Sequence, residues 1–378
     1  MREGWQTKTL GDVCHVYQPE TISQKQMAGG EYAVYGANGP IGWHNQFNHE
    51  EAQLILGCRG SCGSVHITAP RSWINGNAMV VQPKTDLIAP AYLAYALRGG
   101  VDLKDSITGT AQPQITRASL MPVAISYPEA LSEQQRIVAL LDEAFAGLAT
   151  AKANAERNLQ NARAIFESHL QSVFSERGEG WVEKQLRDFC SFENGDRGSN
   201  YPSKKARSAT GIPFINAGHL TDDGIDLARM DYIPRERFDL LSNGKIRAGD
   251  ILFCLRGSLG KFASVGDLDE GAIASSLVIV RPDETVLNDY LVAYFRSSLC
   301  ASMINEFKNG TAQPNLSARS LGDFIAPLPP LPDQKLLVKE LDDLREETQR
   351  HTRLYERKLA ALEELKQSLL HQAFNGEL

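Results

Sequence analysis

Residues able to grip a nucleic acid stand in several places along this chain. Arg197, Asn200, Tyr201, Lys204, Lys205 and Arg207 put four positive charges into eleven residues of a segment that also carries Gly, Ser and Pro. Lysine and arginine supply affinity by contacting phosphates, while Arg, Asn and Gln read base edges; a merely solvated basic loop is the other reading. A second stretch, Tyr35 to Gln46, mixes turn residues with amides and imidazole, and Asn38, His44, Asn45 and Gln46 are its candidate DNA contacts. A turn-rich hairpin would look the same. Arg59 and Arg256 each open an Arg-Gly-Ser-x-Gly run, which suits a phosphate contact or a structural ion pair. The string Gly-Thr-Ala-Gln-Pro occurs twice, at 109–113 and 310–314. Its Thr110, Gln112, Thr311 and Gln313 are expected to anchor a globular domain or dock a partner protein, with DNA contact as the alternative.

Patterns that would make the chain an enzyme do not close. Cys58, Cys62 and His66 offer three soft ligands, one fewer than a structural zinc site takes. The matching positions of the internal repeat described below hold Leu255, Leu259 and Ala263. Gly257-Ser258-Leu259-Gly260-Lys261-Phe262 has the wrong spacing for a phosphate loop, and a phenylalanine stands where magnesium needs a hydroxyl. The sequence has no Asp/Asn-Pro-Pro-Tyr/Phe methyltransferase motif, no complete Walker loop and no nuclease-like carboxylate/lysine cluster. The expectation is a noncatalytic chain that binds no metal.

The elements that must position these residues come in two copies. Gly4-Trp5-x-x-Lys8-x-Leu10-x-Asp12-x-Cys14 returns as Gly180-Trp181-x-x-Lys184-x-Leu186-x-Asp188-x-Cys190, and Ser132-Glu133-Gln134-Gln135 aligns with Pro332-Asp333-Gln334-Lys335. With the two motifs already named, four ordered matches mark a duplicated unit. The first part of each copy is dense in Gly, Pro and Asn, with short apolar runs such as Gln53–Leu56, Ala78–Val81, Asp250–Leu255 and Ser276–Val280 that read as strands. Short helices are expected at Ala91–Leu97 and Asp289–Arg296.

The second part of each copy repeats apolar residues at helical spacing. Ile137, Leu141, Ala144, Leu148, Ala151, Ala155, Ala162 and Ile165 form one seam; Leu337, Leu341, Leu344, Tyr355, Leu362, Leu365 and Leu369 form the other. Polar Asn158, Thr348 and His351 interrupt them. Ser132 is expected to cap the first helix and Pro332-Asp333 to start the second. Forty-odd helical residues rise roughly 60 Å, more than one such domain can bury. The two helices are therefore expected to pair as an antiparallel coiled coil, which returns the C-terminus to the first domain. The expected fold is α+β, with two similar mixed α/β domains separated by the helix pair and related by an approximate two-fold. On a duplex such a pair would read two half-sites at a fixed spacing.

Composition narrows the classes. At 42% hydrophobic and 22% charged, the 378 residues are ordinary for a globular protein. The net charge of −7 argues against a whole-chain electrostatic hold on nucleic acid, so contact must come from local patches or from a partner. No uncharged run nears the ~18 residues of a membrane span, the start lacks an apolar leader, and six scattered cysteines make no disulfide framework. A cytoplasmic location is expected.

In order and content these motifs resemble the specificity subunit of type I restriction–modification systems, over essentially the whole chain. The two Gly-Thr-Ala-Gln-Pro strings, the run Pro327-Leu328-Pro329-Pro330-Leu331-Pro332-Asp333-Gln334 and the ending Leu369-Leu370-His371-Gln372-Ala373-Phe374-Asn375-Gly376-Glu377-Leu378 carry the likeness. Tyr127-Pro128-Glu129-Ala130 departs from the family's proline-rich lead-in at the first helix. The resemblance implies target-recognition domains at 1–131 and 179–331 and helical spacers at 132–178 and 332–378. It implies double-stranded DNA with a bipartite asymmetric site, two docked adenine-methyltransferase subunits, and restriction subunits in the full complex. No cofactor is implied in this chain; S-adenosylmethionine belongs with the methyltransferase partner, ATP and magnesium with the restriction partner. Thr110, Gln112, Thr311 and Gln313 would then anchor the domains or dock the methyltransferase. A coiled-coil interaction scaffold and the recognition subunit of another methylation-based defence system are the alternatives.

Overall fold

The computed structural model describes residues 4–27, 29–109, 112–203, 207–310 and 314–378. The chain divides into two compact units: Met1–Arg157 with Tyr355–Leu378, and Asn158–Leu354. Two 45-residue helices, Leu131–Ser175 and Leu331–Asn375, each contribute one stretch to either unit. No helix among the described residues is long and apolar enough to cross a membrane.

The duplication seen in the sequence reappears as a duplicated topology. In the first unit, strands Cys14–Tyr17, Ala78–Pro83, Leu54–Gly57 and Val65–Ile67 lie side by side in that order, all antiparallel. In the second, Cys190–Asn194, Leu277–Pro282, Ile251–Cys254 and Phe262–Ser264 repeat the order and the directions. A smaller sheet joins Tyr32–Gly36 antiparallel to Gly39–His44 and parallel to Trp73–Ile74; its counterpart joins Ile212–Ile215 to Asp231–Ile233 and Ala272–Ile273 in the same senses. A closing pair, Trp5–Thr9 with Ala124–Pro128, matches Val182–Gln185 with Ile325–Leu328. The expected strands are present, with bounds shifted by a residue or two. Much of the second unit's extra length lies where the first unit turns directly from Gly36 to Gly39. There the second inserts a hairpin, Leu220–Thr221 with Gly224–Ile225, before it reaches Asp231.

Each domain closes its core with the start of the helix that follows it and the end of the other long helix. In the first unit Ile137 and Leu141 share a core with Leu370, Ala373 and Phe374, and the Phe374 ring meets Tyr92 edge-on at 5.3 Å. Gly99 and Gly100 leave no room for a Cβ beneath Leu370 and Phe374. In the second unit Leu170, Phe174 and Leu341 share a core, with Phe174 5.6 Å from Tyr290, the counterpart of Tyr92. Burying each such Leu or Phe contributes about 2 kcal/mol. Arg136 donates to the carbonyl of Leu378 at 2.9 Å, and His169 pairs with Glu340 at 3.2 Å, so the helix segments run antiparallel in both units. The C-terminal residues lie against the first domain, as the chain order requires.

The helix starts are held by a buried amide. Gln134 has no exposed surface; its oxygen accepts the N–H of Ala89 at 2.8 Å, and its NH₂ donates to the carbonyls of Leu87 and Pro128 at 3.1 and 2.8 Å. Gln334 repeats this with the N–H of Leu287 at 2.8 Å and the carbonyls of Thr285 and Pro329 at 3.0 and 2.9 Å. Periodicity gave no hint of it, because an amide among apolar positions reads as an interruption. Three seam expectations are corrected. Ser132 lies inside the first turn, since the helix begins at Leu131, and so does not cap it. Ile165 and Leu365 point outward, 52% and 47% exposed, while the adjacent Phe166 packs against the core. Thr348 is buried within the seam and satisfies its hydroxyl on the carbonyl of Leu344 at 2.8 Å.

Removing the clamp should be costly. Gln334→Ala strands one N–H and two carbonyls in the interior, at about 1–3 kcal/mol for each orphaned group. A urea melt is expected to lose at least about 3 kcal/mol. Gln334→Glu should also destabilise, since a carboxylate has no hydrogen for the two carbonyls; an unchanged midpoint would remove the clamp from the fold's supports.

Candidate nucleic-acid interface

The two short motifs that recur in the sequence meet in space, once in each unit. In the first, the turn after strand Leu54–Gly57 carries Arg59, and Arg59 pairs through its backbone with Gln114, just past Gly-Thr-Ala-Gln-Pro. The N–H of Ile115 donates to the carbonyl of Cys58 at 2.9 Å, and the Cys62 thiol to the carbonyl of Pro113 at 3.1 Å. Ser64 ties the same turn to the tip of the 32–44 hairpin by donating to the carbonyl of Ala37. In the second unit Arg256 pairs with Asn315, and Leu316 donates to Leu255 at 3.0 Å. Lys261, at the place of Ser64, reaches the carbonyl of Ala217 at 3.1 Å. In each unit the arginine turn thus meets the residue just past Gly-Thr-Ala-Gln-Pro and the segment that follows the first strand of the small sheet.

Sharp turns make this possible. Gly60 and Gly63 sit at φ +78° and +82°, and Gly257 and Gly260 at +81° and +82°, a left-handed conformation that side chains disfavour. Gly109, at +87°, approaches the Gln112 carbonyl so closely that a Cβ would stand 2.7 Å from its oxygen.

Arg59 and Arg256 are exposed, and neither guanidinium has an acidic partner among the described residues. Asn38 is exposed in the two-residue hairpin turn, beside the Ser64 contact. Asn45 and Gln46 are exposed just beyond the strand, while His44 stands half-buried, edge-on to Trp73 at 5.2 Å. Gln112 is exposed on its loop, and its neighbours Pro113 and Gln114 contact the arginine turn. Thr110, Thr311 and Gln313 lie outside the described residues.

The basic segment of the second unit separates into three fates. Arg197 is exposed and donates to the carbonyl of Ser275 at 3.4 Å, next to Ser276, which accepts from Leu255. It therefore stands close to the Arg256 surface. Its loop is pinned by Asp196, whose carboxyl is held below its ordinary pKa by the N–H groups of Gly198 and Ser242. Asn200, Tyr201 and Arg207 instead hold the domain together. Asn200 donates to the carbonyl of Leu240 at 3.0 Å, Tyr201 packs edge-on to Phe214 at 5.8 Å, and Arg207 pairs with Asp231 at 2.5 Å while covering the Phe214 ring. Their partners lie far along the chain, so the run of charge in the sequence looked uniform. Lys204 and Lys205 lie outside the described residues.

Two features escaped the sequence reading. Lys261 stands in a run that resembles a phosphate loop, yet it braces the segment that follows strand Ile212–Ile215. Arg71 adopts φ +51°, the one left-handed side chain among the described residues, and lies over Tyr32 and Phe47 at 5.3 and 5.2 Å. Cys58, Cys62 and His66 share one turn and strand, but Cys58 is buried, and burial raises its thiol pKa. Among the described residues no group of three or more His, Cys, Asp and Glu gathers to hold a metal ion.

A family model described as the type I restriction modification DNA specificity domain matches residues 2–157 and 178–360. The type I restriction enzyme EcoBI specificity subunit of Escherichia coli is 21% identical over 354 residues, covering 86% of this chain and 73% of the relative. The fold is shared with a chain solved in a study of complex assembly and conformational transition in the type I R-M system, with a TM-score of 0.77 and 18% identity over 100% of this chain and 99% of the other. The HsdS subunit from Thermoanaerobacter tengcongensis gives a TM-score of 0.64 and 19% identity, covering 100% and 98%.

The left-handed glycine offers a local test. Gly109→Ala should cost about 1–2 kcal/mol in backbone strain. Hydrogen exchange at the Ile115 amide, which donates to Cys58, should then quicken roughly ten-fold, and protection equal to wild type would show that the loop does not need its glycine.

Proposed function

We propose that this chain, which belongs to the type I restriction modification DNA specificity domain family, is the noncatalytic subunit that gives its complex sequence specificity on double-stranded DNA. One observation carries the reading: an exposed arginine turn, held to the residue just past Gly-Thr-Ala-Gln-Pro and to the segment after the first small-sheet strand, is built twice on the same frame, from differing sequences in that segment. Two frames with different reading loops suit a bipartite, asymmetric site. Arg59 and Arg256, with Arg197 and the Lys204-Lys205 pair, supply phosphate contacts; Asn38, His44, Asn45 and Gln46 supply base contacts in the first half-site. Thr110, Gln112, Thr311 and Gln313 serve domain anchoring or methyltransferase docking.

Two methyltransferase subunits, carrying S-adenosylmethionine, supply the chemistry, and restriction subunits with ATP and magnesium join in the full complex. A net charge of −7 fits a chain whose tight DNA binding depends on those partners. The working location is the cytoplasm.

Phosphate contacts have a signature. With the chain assembled beside its methyltransferase, Arg256→Ala should weaken binding to all duplexes about equally and lower the salt slope by about one unit, and Arg59→Ala likewise. A slope equal to wild type would withdraw these two arginines from the interface.

Independent reading is tested by exchanging residues 1–131 for the corresponding part of another family member and mapping methylated sites in cells. One half of the recognised sequence should change while the other half and the spacing persist. Both halves changing together would sink the two-reader proposal.

A further inference from the structure

Each unit has a groove between its sheet domain and its helix segments, and the residues lining the two grooves correspond. In the first unit a cavity of about 510 Å³ has an apolar floor that includes Tyr95, Phe145, Leu148 and Leu362. Arg98, Lys152 and Lys366 stand at its rim, against one carboxylate in the lining, Glu363. In the second unit Ala293, Arg345, Thr348 and Ala162 take the floor positions, and Arg296 takes the place of Arg98.

The two grooves differ in what meets their cations. The hairpin found only in the second unit presents Asp222 and Asp223 to its groove. Arg296 donates to the carbonyl of Asp222 at 2.5 Å, and Arg345 pairs with the Asp223 carboxylate at 2.9 Å. Ile225 and Leu227 of the same insertion line that cavity. In the first unit the chain turns directly from Gly36 to Gly39 and has no such hairpin. Arg98 lies 5.8 Å from the Tyr95 ring, and Lys152 and Lys366 make no ion pair among the described residues.

We propose that the first unit's groove receives an acidic loop from a partner protein, as its counterpart receives Asp222 and Asp223 from the same chain. Three cations around an apolar floor match a loop with carboxylates at its turn and aliphatic side chains beside them. A sugar–phosphate backbone would meet the cations but has little apolar surface to bury against Phe145, Leu148 and Leu362. The inference stands apart from which bases the chain reads.

The probe is a backbone-cyclised peptide of residues 218–227, fluorescently labelled and titrated into the full chain. Saturable binding is expected, falling at least ten-fold in the Lys152→Glu/Lys366→Glu chain and when the peptide residues corresponding to Asp222 and Asp223 become asparagine. The milder Lys152→Gln/Lys366→Gln chain should lose part of the affinity while melting at the wild-type temperature. Absence of saturable peptide binding, or binding that both lysine variants leave unchanged, overturns the proposal. A short random-sequence duplex is the rival probe, and if it alone binds and loses affinity with the same lysines, the groove serves nucleic acid and the proposal fails.

Discussion

A primary amide buried without its partners would cost more than most side chains contribute, and the start of each long helix is arranged around that demand. Gln134 needs one donor and two acceptors, and finds them in the loop before the short helix at Pro90 and at the end of the closing strand. Those three groups converge only when the helix leaves its domain in one direction. That direction sets which surface of the domain the helix covers and where the end of the other helix must lie. Phe374 then fits over Tyr92 and the Gly99-Gly100 turn, and Phe174 fits against Tyr290 in the second unit. The chain uses the same solution twice, down to the matching carbonyls of Pro128 and Pro329.

On that frame the parts that vary are the loops. Both units keep the sheet order, the left-handed glycines of the arginine turn and the pairing of that turn with the residue just past Gly-Thr-Ala-Gln-Pro. They differ in the connection after the first strand of the small sheet, a tight Ala37-Asn38 turn in one and a longer insertion in the other. A rigid support with exchangeable loops lets a binding surface change its chemistry without endangering the core. Membership of a DNA-specificity family and this division of labour are consistent with each other, since specificity has to vary while the fold has to persist.

The candidate contacts show how neighbours in space reassign residues that look alike in a row. Arg197 and Arg207 belong to one basic stretch, yet Arg207 faces Asp231 across the small sheet while Arg197 lies near the Arg256 turn. Arg256 and Lys261 belong to one glycine-rich run, yet one is exposed with no acidic partner among the described residues and the other reaches the Ala217 carbonyl. Cys58 and Cys62, four residues apart, separate into a buried thiol and one that donates to Pro113.

The duplication, the two long helices and most strands were legible in the sequence because they are written in local, repeating terms. Apolar spacing follows the helical period, short apolar runs sit between Gly and Pro, and copied motifs keep their order. The same logic gave the C-terminus its place beside the first domain. What the sequence left open were the partners of individual side chains. It could not say that Gln134 is a clamp, that Thr348 belongs inside the seam, that Ile165 yields to Phe166, or that Arg207 is paired and Arg59 is exposed. Nor could it say that matching grooves in the two units differ in what meets their cations. Each of these depends on atoms that meet only after folding, often more than twenty residues apart, and only the tertiary structure decides which donor finds which acceptor.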